Sequence, residues 1–310
     1  LIDSPNIYDA SLEYIKYRQF GIIFVCFNFL YRALYVGISN TKVITYSTII
    51  MAVVNIFLDY CLIFGNFGFP EMGIGGAALA SFCAEVSAFT FFTIYSYITL
   101  RNKDYGMFKL HRLESELMGR ILKLATPTMI QKLFSFSVWF IFFILIEKMG
   151  ETATGISSIV RSVYMILITP CFAFATTTNT VVSRIIGEGH SDQVFSTINK
   201  ILKNCLLCTI PIMILVAIFP IQIARIYTDD LNLAQLVVPS IYVICFGTIF
   251  QGIGNAYFEA VSGTGNTSAA LYLEAVILVI YVAFIWAMTH LTTRVELVWT
   301  AEILYGALLG

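Results

Sequence analysis

Charged residues are scarce in this sequence: they make up 12% of its 310 residues, whereas 58% are hydrophobic. An ordinary soluble domain carries about 25% charged residues, so this chain has too little charge to cover a water-exposed surface. Basic and acidic residues nearly cancel, and a net charge of −1 offers no positive field to attract nucleic acid. The composition therefore excludes a soluble enzyme, a disordered tail and a nucleic-acid binder, and it indicates a polytopic helical membrane protein.

Motifs of catalysis and nucleotide binding are also missing from the sequence. Its three histidines form no HExxH pattern and no cluster with a nucleophile, so we expect neither an enzyme nor a resident cofactor or metal. No GxxxxGK[ST] loop is present, so ATP is not expected as an energy source. The seven cysteines lie inside apolar runs, and we expect them to be packing residues.

Apolar runs long enough to cross a membrane recur along the chain. A bilayer core about 30 Å thick needs about 20 helical residues. Such runs fall near 10–35, 43–64, 74–99, 124–147, 153–184, 196–219, 234–258 and 268–290, and a ninth begins near 297 and is unfinished. Backbone groups in lipid must pair within their own segment, so the runs are predicted to be helices and the fold class to be all-α.

Basic residues distinguish the two ends of the runs. Lys and Arg gather at alternate ends, and the most basic polar stretch is 101–123, so this side is predicted to be cytoplasmic. We interpret residues 101–123 as a cytoplasmic linker between a first bundle, residues 1–100, and a second bundle, residues 124–310. An amphipathic stretch around Leu113–Leu124 is expected to lie on the membrane surface.

A short internal repeat relates the two bundles. Tyr31–Thr41 reads YRALYVGISNT and Tyr257–Thr267 reads YFEAVSGTGNT, so the pattern GxxNT recurs 226 residues later. Each copy follows one long apolar run and precedes another, and repeated halves are the usual plan of secondary transporters. The offset puts the start of the first half about 110 residues before Leu1, which leaves room for three more helices in the intact protein.

Several stretches together resemble the multidrug and toxic compound extrusion (MATE) family. Residues 55–65, NIFLDYCLIFG, and 68–78, GFPEMGIGGAA, resemble the family's fifth helix, the outer loop and the start of the sixth helix. Arg32–Thr41 resembles the turn between the fourth and fifth helices, Pro170–Gly187 the eighth helix, and Ser262–Thr267 the turn after the tenth. The resemblance covers family helices four to twelve, and it implies a two-lobe membrane helical bundle with its first three helices missing.

The resemblance also implies a function. Members of the family export organic cations in exchange for Na⁺ or H⁺ by alternating access between two lobes, so we expect such an antiporter in the inner (plasma) membrane. Its expected partners are small organic cations and the lipid bilayer, with no nucleic acid, and we expect a monomer. The alternative is a flippase for lipid-linked oligosaccharides from the same exporter superfamily. Its cleft should be cationic to meet pyrophosphate, whereas acids outnumber bases in the apolar runs here, which disfavours it.

Asn55 and Asp59 are the candidate site for the coupling ion. They are four residues apart and therefore share one helix face. A carboxylate and an amide oxygen so placed could ligate Na⁺, or the carboxylate alone could carry a proton, because apolar surroundings disfavour its charged form. In the MATE family the matching residues line the N-lobe cation site, which an acidic residue of the first helix completes. The alternative is a pair that holds helices together by hydrogen bonds.

Other polar side chains in the runs form a second group of candidates. An ionised side chain at the bilayer centre costs about 2.5–3.5 kcal/mol on insertion scales, so such residues are usually paired or face water. Acids of the second bundle, with Lys132 and Arg161, could form a network that takes up a proton or holds a cationic substrate; a static salt-bridge cluster is the alternative. The residues assigned to the substrate cleft or proton network are Gln131, Arg161, Asn179, Glu274, Glu302 and Glu85.

Two positions depart from the family pattern. The NorM-type branch carries a Glu eight residues after the proline of its seventh helix, here Pro127, and this chain has Ser135 there. That branch also carries an Asp in its tenth helix, where this chain has Gln251. The resemblance therefore does not support the branch's C-lobe Na⁺ site, and it favours coupling through Asp59.

Overall fold

The computed structural model describes residues 5–100 and 114–310, with side chains from residue 10 onward. The chain divides into two compact units, residues 1–112 and 113–310. Residues 101–113 of the expected linker lie outside the described residues. Each unit is built from helices formed by the long apolar runs, in which every backbone group can bond within its own segment.

Unit 1 contains four helices in its described part. They are α1 Pro5–Arg18, α2 Gly21–Gly37, α3 Lys42–Phe64 and α4 Gly73–Leu100. Both α3 and α4 are long and apolar enough to cross a membrane, whereas the first predicted run is broken, because α1 and α2 meet at an angle of 50°. This bend was not predicted from the sequence.

An ion pair lies at the bend between α1 and α2. Arg18 Nη2 is 2.6 Å from Glu85 Oε1, which belongs to α4. A Cβ atom on Gly21 would stand 2.7 Å from Arg18 Nη1 and still closer to Glu85 Oε2. The glycine thus gives the two charged groups the space in which they meet, and the ion pair ties the bend to α4.

Unit 2 contains eight helices in its described part. They are α5 Ser115–Glu147, α6 Glu151–Gly187, α7 Val194–Ile218, α8 Pro220–Ala224, α9 Leu231–Gly263, α10 Thr267–Leu291, α11 Val295–Trp299 and α12 Ala301–Leu309. All except α8, α11 and α12 can cross a membrane, so the described residues hold seven such helices, or eight spans with the bent pair α1–α2. Helix α5 begins at Ser115, so residues 115–123, which we assigned to the linker, continue the helix of the following run.

Helices α6 and α9 form the centre of unit 2, and α12 packs against α9. The contact between α9 and α12 is made by glycines: a Cβ on Gly254 would lie within 3 Å of the carbonyl oxygen of Gly306, and a Cβ on Gly306 would lie 2.6 Å from the amide nitrogen of Gln251. Only hydrogen side chains allow two backbones to approach this closely. The approach brings the start of α12 beside the middle of α9.

The internal repeat is visible in the backbone. The first copy forms the turn from α2 to α3 and the second forms the turn from α9 to α10. Ser39 and Gly265, which occupy the same position in the two copies, both have positive φ, at 59° and 85°. In the second copy Asn266 caps α10, because its Oδ1 accepts a hydrogen bond from the backbone N–H of Ala269 at 3.2 Å.

Candidate functional site

Asn55 and Asp59 lie on α3, and both side chains are half-buried. Among the residues that the structure describes, Asp59 makes no hydrogen bond and no ion pair. The Nδ2 atom of Asn55 is buried and also lacks a partner. The structure therefore places the two side chains one turn apart. In the described part of the chain, the carboxylate of Asp59 and the Nδ2 atom of Asn55 lack the partner on another helix that a helix-to-helix hydrogen bond would require.

Glu85 differs from Asp59 because it is buried and ion-paired with Arg18. Its partner Arg18 belongs to α1 of the same unit. Asn28 Nδ2 also donates to the backbone carbonyl of Glu85 at 3.1 Å. Glu85 therefore anchors α4 to the bend between α1 and α2, and only its Oε2 atom lacks a partner.

A cavity of about 180 Å³ lies between α2, α3 and α4 and was not predicted from the sequence. Asn28 Oδ1, Ser47 Oγ and Glu85 Oε2 belong to residues that line it, and all three atoms are buried without partners in the described residues. Arg32 also contributes to the lining. Buried polar atoms of this kind are commonly satisfied by ordered water or by a polar ligand.

Glu302 is held in unit 2 by neutral hydrogen-bond donors. Its side chain is 4% exposed. The hydroxyl groups of Tyr281 and Tyr164 donate to Oε1 and Oε2 at 2.6 and 2.7 Å. Gln251 Nε2 donates to Oε2 at 3.0 Å and to the backbone carbonyl of Glu302 at 3.1 Å. The donors come from α6, α9 and α10, so one carboxyl group joins α12 to three other helices.

Glu274 is the second buried acid of unit 2, and it is only partly satisfied. Ser135 Oγ and the hydroxyl of Tyr305 donate to its Oε1 atom, whereas its Oε2 atom is buried without a partner. Gln131 lies one turn before Ser135 on α5, is buried, and has an unpartnered Oε1 atom. The α5–α10 contact therefore holds buried oxygen atoms that lack donors.

The two departures from the family pattern each contact an acid from another helix. Ser135 stands where the NorM-type branch carries a Glu, and it donates to Glu274 of α10. Gln251 stands where that branch carries an Asp, and it donates to Glu302 of α12. Both acids were selected as candidates from the sequence, but these contacts and the contacts of Tyr164 and Tyr281 with Glu302 were not predicted. The partners are distant in the chain, and only packing brings them together.

The residues that we expected to form one network in unit 2 do not all contact one another directly. Lys132 Nζ is 3.6 Å from Glu259 Oε1, and Asn179 Nδ2 donates to Glu259 Oε2 at 2.9 Å. Arg161 joins no described acid: it lies on an exposed face of α6, and its guanidinium group stacks over the ring of Phe143 at 4.9 Å. Both bases therefore lie apart from Glu274 and Glu302.

The family model for MatE matches residues 1–61 and 127–287, which is most of the chain. The chain belongs to the MatE family. Its two matched segments fall in the two units, as the internal repeat predicts. With seven membrane-length helices in its described residues, this MatE chain is a polytopic membrane protein, which in bacteria resides in the plasma membrane.

Curated relatives of the MatE chain are bacterial. The probable multidrug resistance protein NorM of Thermotoga maritima is 29% identical over 265 residues, which cover 84% of this chain and 56% of the relative. The protein of the same name from Agrobacterium fabrum is 31% identical over 150 residues, or 47% of this chain and 32% of the relative. The chain thus spans about half the length of the first of these relatives.

Solved structures share the fold of the MatE chain. A transporter of the MOP superfamily from Pyrococcus furiosus superposes with a TM-score of 0.83 at 18% identity, over 96% of this chain and 66% of that one. It is described as having a binding pocket of reverse polarity that suggests a different function. A mutant of the Vibrio cholerae MATE transporter VcmN gives a TM-score of 0.83 at 15% identity, over 99% and 68% of the two chains. The all-α, MATE-like fold predicted from the sequence is confirmed.

Proposed function

We propose that the intact protein is an antiporter that exports organic cations by alternating access, driven by re-entry of Na⁺ or H⁺. The relatives named multidrug resistance proteins support the transport of small molecules. The observation that carries the ion coupling is Asp59, a carboxylate on a membrane-length helix that has no counter-ion among the described residues. A charge in that position is costly unless an ion, a proton or water compensates it.

Ion binding at Asp59 supplies a physical means of coupling. A bound Na⁺ or a proton cancels the charge of the carboxylate, and Asn55 on the same helix face adds an amide oxygen as a ligand or hydrogen-bond acceptor. The ion then favours whichever conformation of the protein holds it more tightly. Release of the organic cation is linked to this shift when the substrate prefers the other conformation.

The acids of the membrane helices fit a cationic cargo better than an anionic one. Glu274 and Glu302 have no basic partner among the described residues. Lys132 is already engaged with Glu259, and Arg161 stacks on Phe143. A flippase for lipid-linked oligosaccharides would need free bases gathered around a pyrophosphate, so it remains the weaker alternative.

The replacement Asp59→Asn in the full-length protein tests the proposal. Proteoliposomes would be loaded with ethidium, and efflux would be driven by a pH gradient or by a Na⁺ gradient, each imposed separately. We expect the variant to lose gradient-driven efflux, because its amide can neither carry the proton nor balance Na⁺. Asp192→Asn, at an exposed position in the short 3₁₀ turn before α7, is the matched control and should behave as the wild type. Unchanged efflux by the Asp59→Asn protein would remove this residue from the mechanism.

A further inference from the structure

The surroundings of Glu302 identify the kind of ion that its carboxyl group can bind. All three side chains that touch it, those of Tyr164, Tyr281 and Gln251, are placed as hydrogen-bond donors. Their donor–acceptor distances of 2.6 to 3.0 Å are those of direct hydrogen bonds, so no space for a metal cation remains between each donor atom and the carboxylate oxygen that it contacts. A proton needs no such space, because a phenolic hydroxyl can turn from donating to accepting.

No base compensates Glu302 in the described residues. The other side chains around it are neutral in kind: Trp299 and Trp139 pack with Tyr164, and Tyr305 of α12 itself packs against Tyr281 at 5.6 Å between ring centroids. The hydroxyl of Tyr305 donates to another acid of unit 2, Glu274, at 3.1 Å. A buried acid with this environment is expected to exchange a proton rather than to hold a permanent counter-ion.

A polar stripe on α9 connects Glu302 with the end of that helix. Gln251, Asn255 and Glu259 follow one another at intervals of four residues, so they share one face of α9. Asn255 Nδ2 donates to Gln251 Oε1 at 3.0 Å, which fixes the amide of Gln251 with its Nε2 toward Glu302. Exposure rises along the stripe, from 2% for Gln251 and 9% for Asn255 to 21% for the side chain of Glu259. The stripe therefore leads from a sealed carboxyl group to one that water can reach.

We propose that Glu302 is a proton-binding site of unit 2 and that its proton exchanges with water along the stripe Gln251–Asn255–Glu259. Hydronium in the water at Glu259 breaks an O–H bond and becomes water, the carboxylate of Glu302 gains the proton as an O–H bond, and the Tyr281 hydroxyl turns from donor to acceptor of that hydrogen; release to water reverses these steps. Lys132 and Asn179, which face Glu259 from α5 and α6, hold its carboxylate at the mouth of the stripe. The inference rests on the proposed antiport and deepens it, because it gives unit 2 its own coupling ion and names that ion as H⁺.

Infrared difference spectroscopy of the full-length protein in lipid tests the site without any substrate. Wild-type protein taken through a pH titration should show a protonated-carboxyl C=O band that is lost in Glu302→Gln and shifted in Tyr281→Phe, which removes one hydrogen bond. Adding Na⁺ at constant pH should leave the band unchanged. A band that persists unchanged in both variants, or one that Na⁺ removes, would overturn the assignment. Failure of ion-driven efflux would leave this measurement unaffected, so the two proposals can fail separately.

The route is tested by the rate at which the same band appears after a pH jump. Asn255→Leu removes the middle of the stripe, and we expect the band to rise at least about tenfold more slowly, equivalent to about 1.4 kcal/mol on the barrier. Asn204→Leu, at an exposed position of α7, is the matched control and should rise at the wild-type rate. Equal rates in the two variants would show that the proton reaches Glu302 by another path.

Discussion

Three acids of this chain carry the same functional group in three different environments. Asp59 has no partner among the described residues, Glu85 is paired with Arg18, and Glu302 is surrounded by neutral donors. An opposite charge compensates a buried carboxylate permanently, whereas neutral hydroxyl donors can turn to accept and leave the carboxyl group able to take up a proton, so the environment separates structural acids from acids that exchange an ion. We assign Glu85 to the structural kind and the other two to ion exchange.

Neutralising variants should separate these kinds by the sign of their effect on stability. Glu85→Gln leaves Arg18 without its counter-ion, and we expect it to lower the free energy of unfolding by about 1–3 kcal/mol, less than for a fully buried pair because Arg18 is partly exposed. Asp59→Asn removes an uncompensated charge and should leave stability unchanged or higher. Thermal and SDS-induced unfolding of the full-length protein measures both, with exposed Glu71→Gln as the control. Equal losses for Glu85→Gln and Asp59→Asn would contradict the distinction.

The hydroxyl of Tyr281 should contribute to stability through Glu302. Tyr281→Phe removes the donor to Oε1 and leaves a buried acceptor unsatisfied, which costs about 1–3 kcal/mol. Tyr272→Phe, on the exposed face of the same helix, should cost nothing measurable. In a double-mutant cycle with Glu302→Gln the two losses should differ from additivity by at least about 0.5 kcal/mol, because the two groups touch. Strict additivity would show that the two side chains do not interact.

At the scale of helices, the contact between α9 and α12 depends on glycine. Gly254→Ala would place a methyl group against the backbone of Gly306, which cannot move aside as a side chain can. Overpacking of this kind costs about 1–3 kcal/mol, so the unfolding temperature should fall. Gly119→Ala in α5 meets nothing within 4 Å and should be neutral or stabilising, since alanine is the better helix former. A similar result for both variants would contradict close packing at Gly254.

The long helices could be predicted from the sequence, because an apolar run of membrane length has one way to satisfy its backbone in lipid. The ends of the helices were less predictable. Helix α9 begins at Leu231, three residues before the apolar run predicted near 234–258. Asp230 caps this start, because its side chain accepts a hydrogen bond from the backbone N–H of Asn232. The bend before Gly21 was missed because it depends on Arg18 and Glu85, which meet only when α4 packs against α1.

The candidate site was predicted in part. An ionised side chain in the bilayer is energetically costly, so Asp59, Glu274 and Glu302 could be selected from the sequence as candidates. Their partners were not found, since Tyr281 and Gln251 are ordinary residues for a membrane helix. Only their hydrogen bonds to Glu302 in the folded structure mark them as part of the site. The contact of Arg161 was not found either, since the sequence shows its charge but not that its guanidinium group stacks on Phe143.

At the scale of the whole molecule, the pattern of basic residues predicts which loops face the cytoplasm. We expect the turn after α6 to be cytoplasmic and the loops after α3 and α8 to lie on the opposite side. Single cysteines at Glu71, Ser191 and Asp229, in a background without the native cysteines, would be labelled on intact cells with a membrane-impermeant thiol reagent. The cysteines at positions 71 and 229 should react, and the one at 191 should react only after lysis. Labelling of position 191 on intact cells would reverse the orientation.

Since Gly254 and Gly306 hold two backbones in contact, α9 and α12 must travel as one body in any rearrangement of unit 2. Glu302 then keeps Gln251 as its neighbour, whereas the phenols of Tyr164 and Tyr281 reach it from α6 and α10. Hydrogen bonds from the two phenols stabilise the charged carboxylate, so a proton would be bound more loosely while both phenols donate and more tightly once one has left. Uptake and release of the proposed proton would therefore follow the distance of these two tyrosines from Glu302.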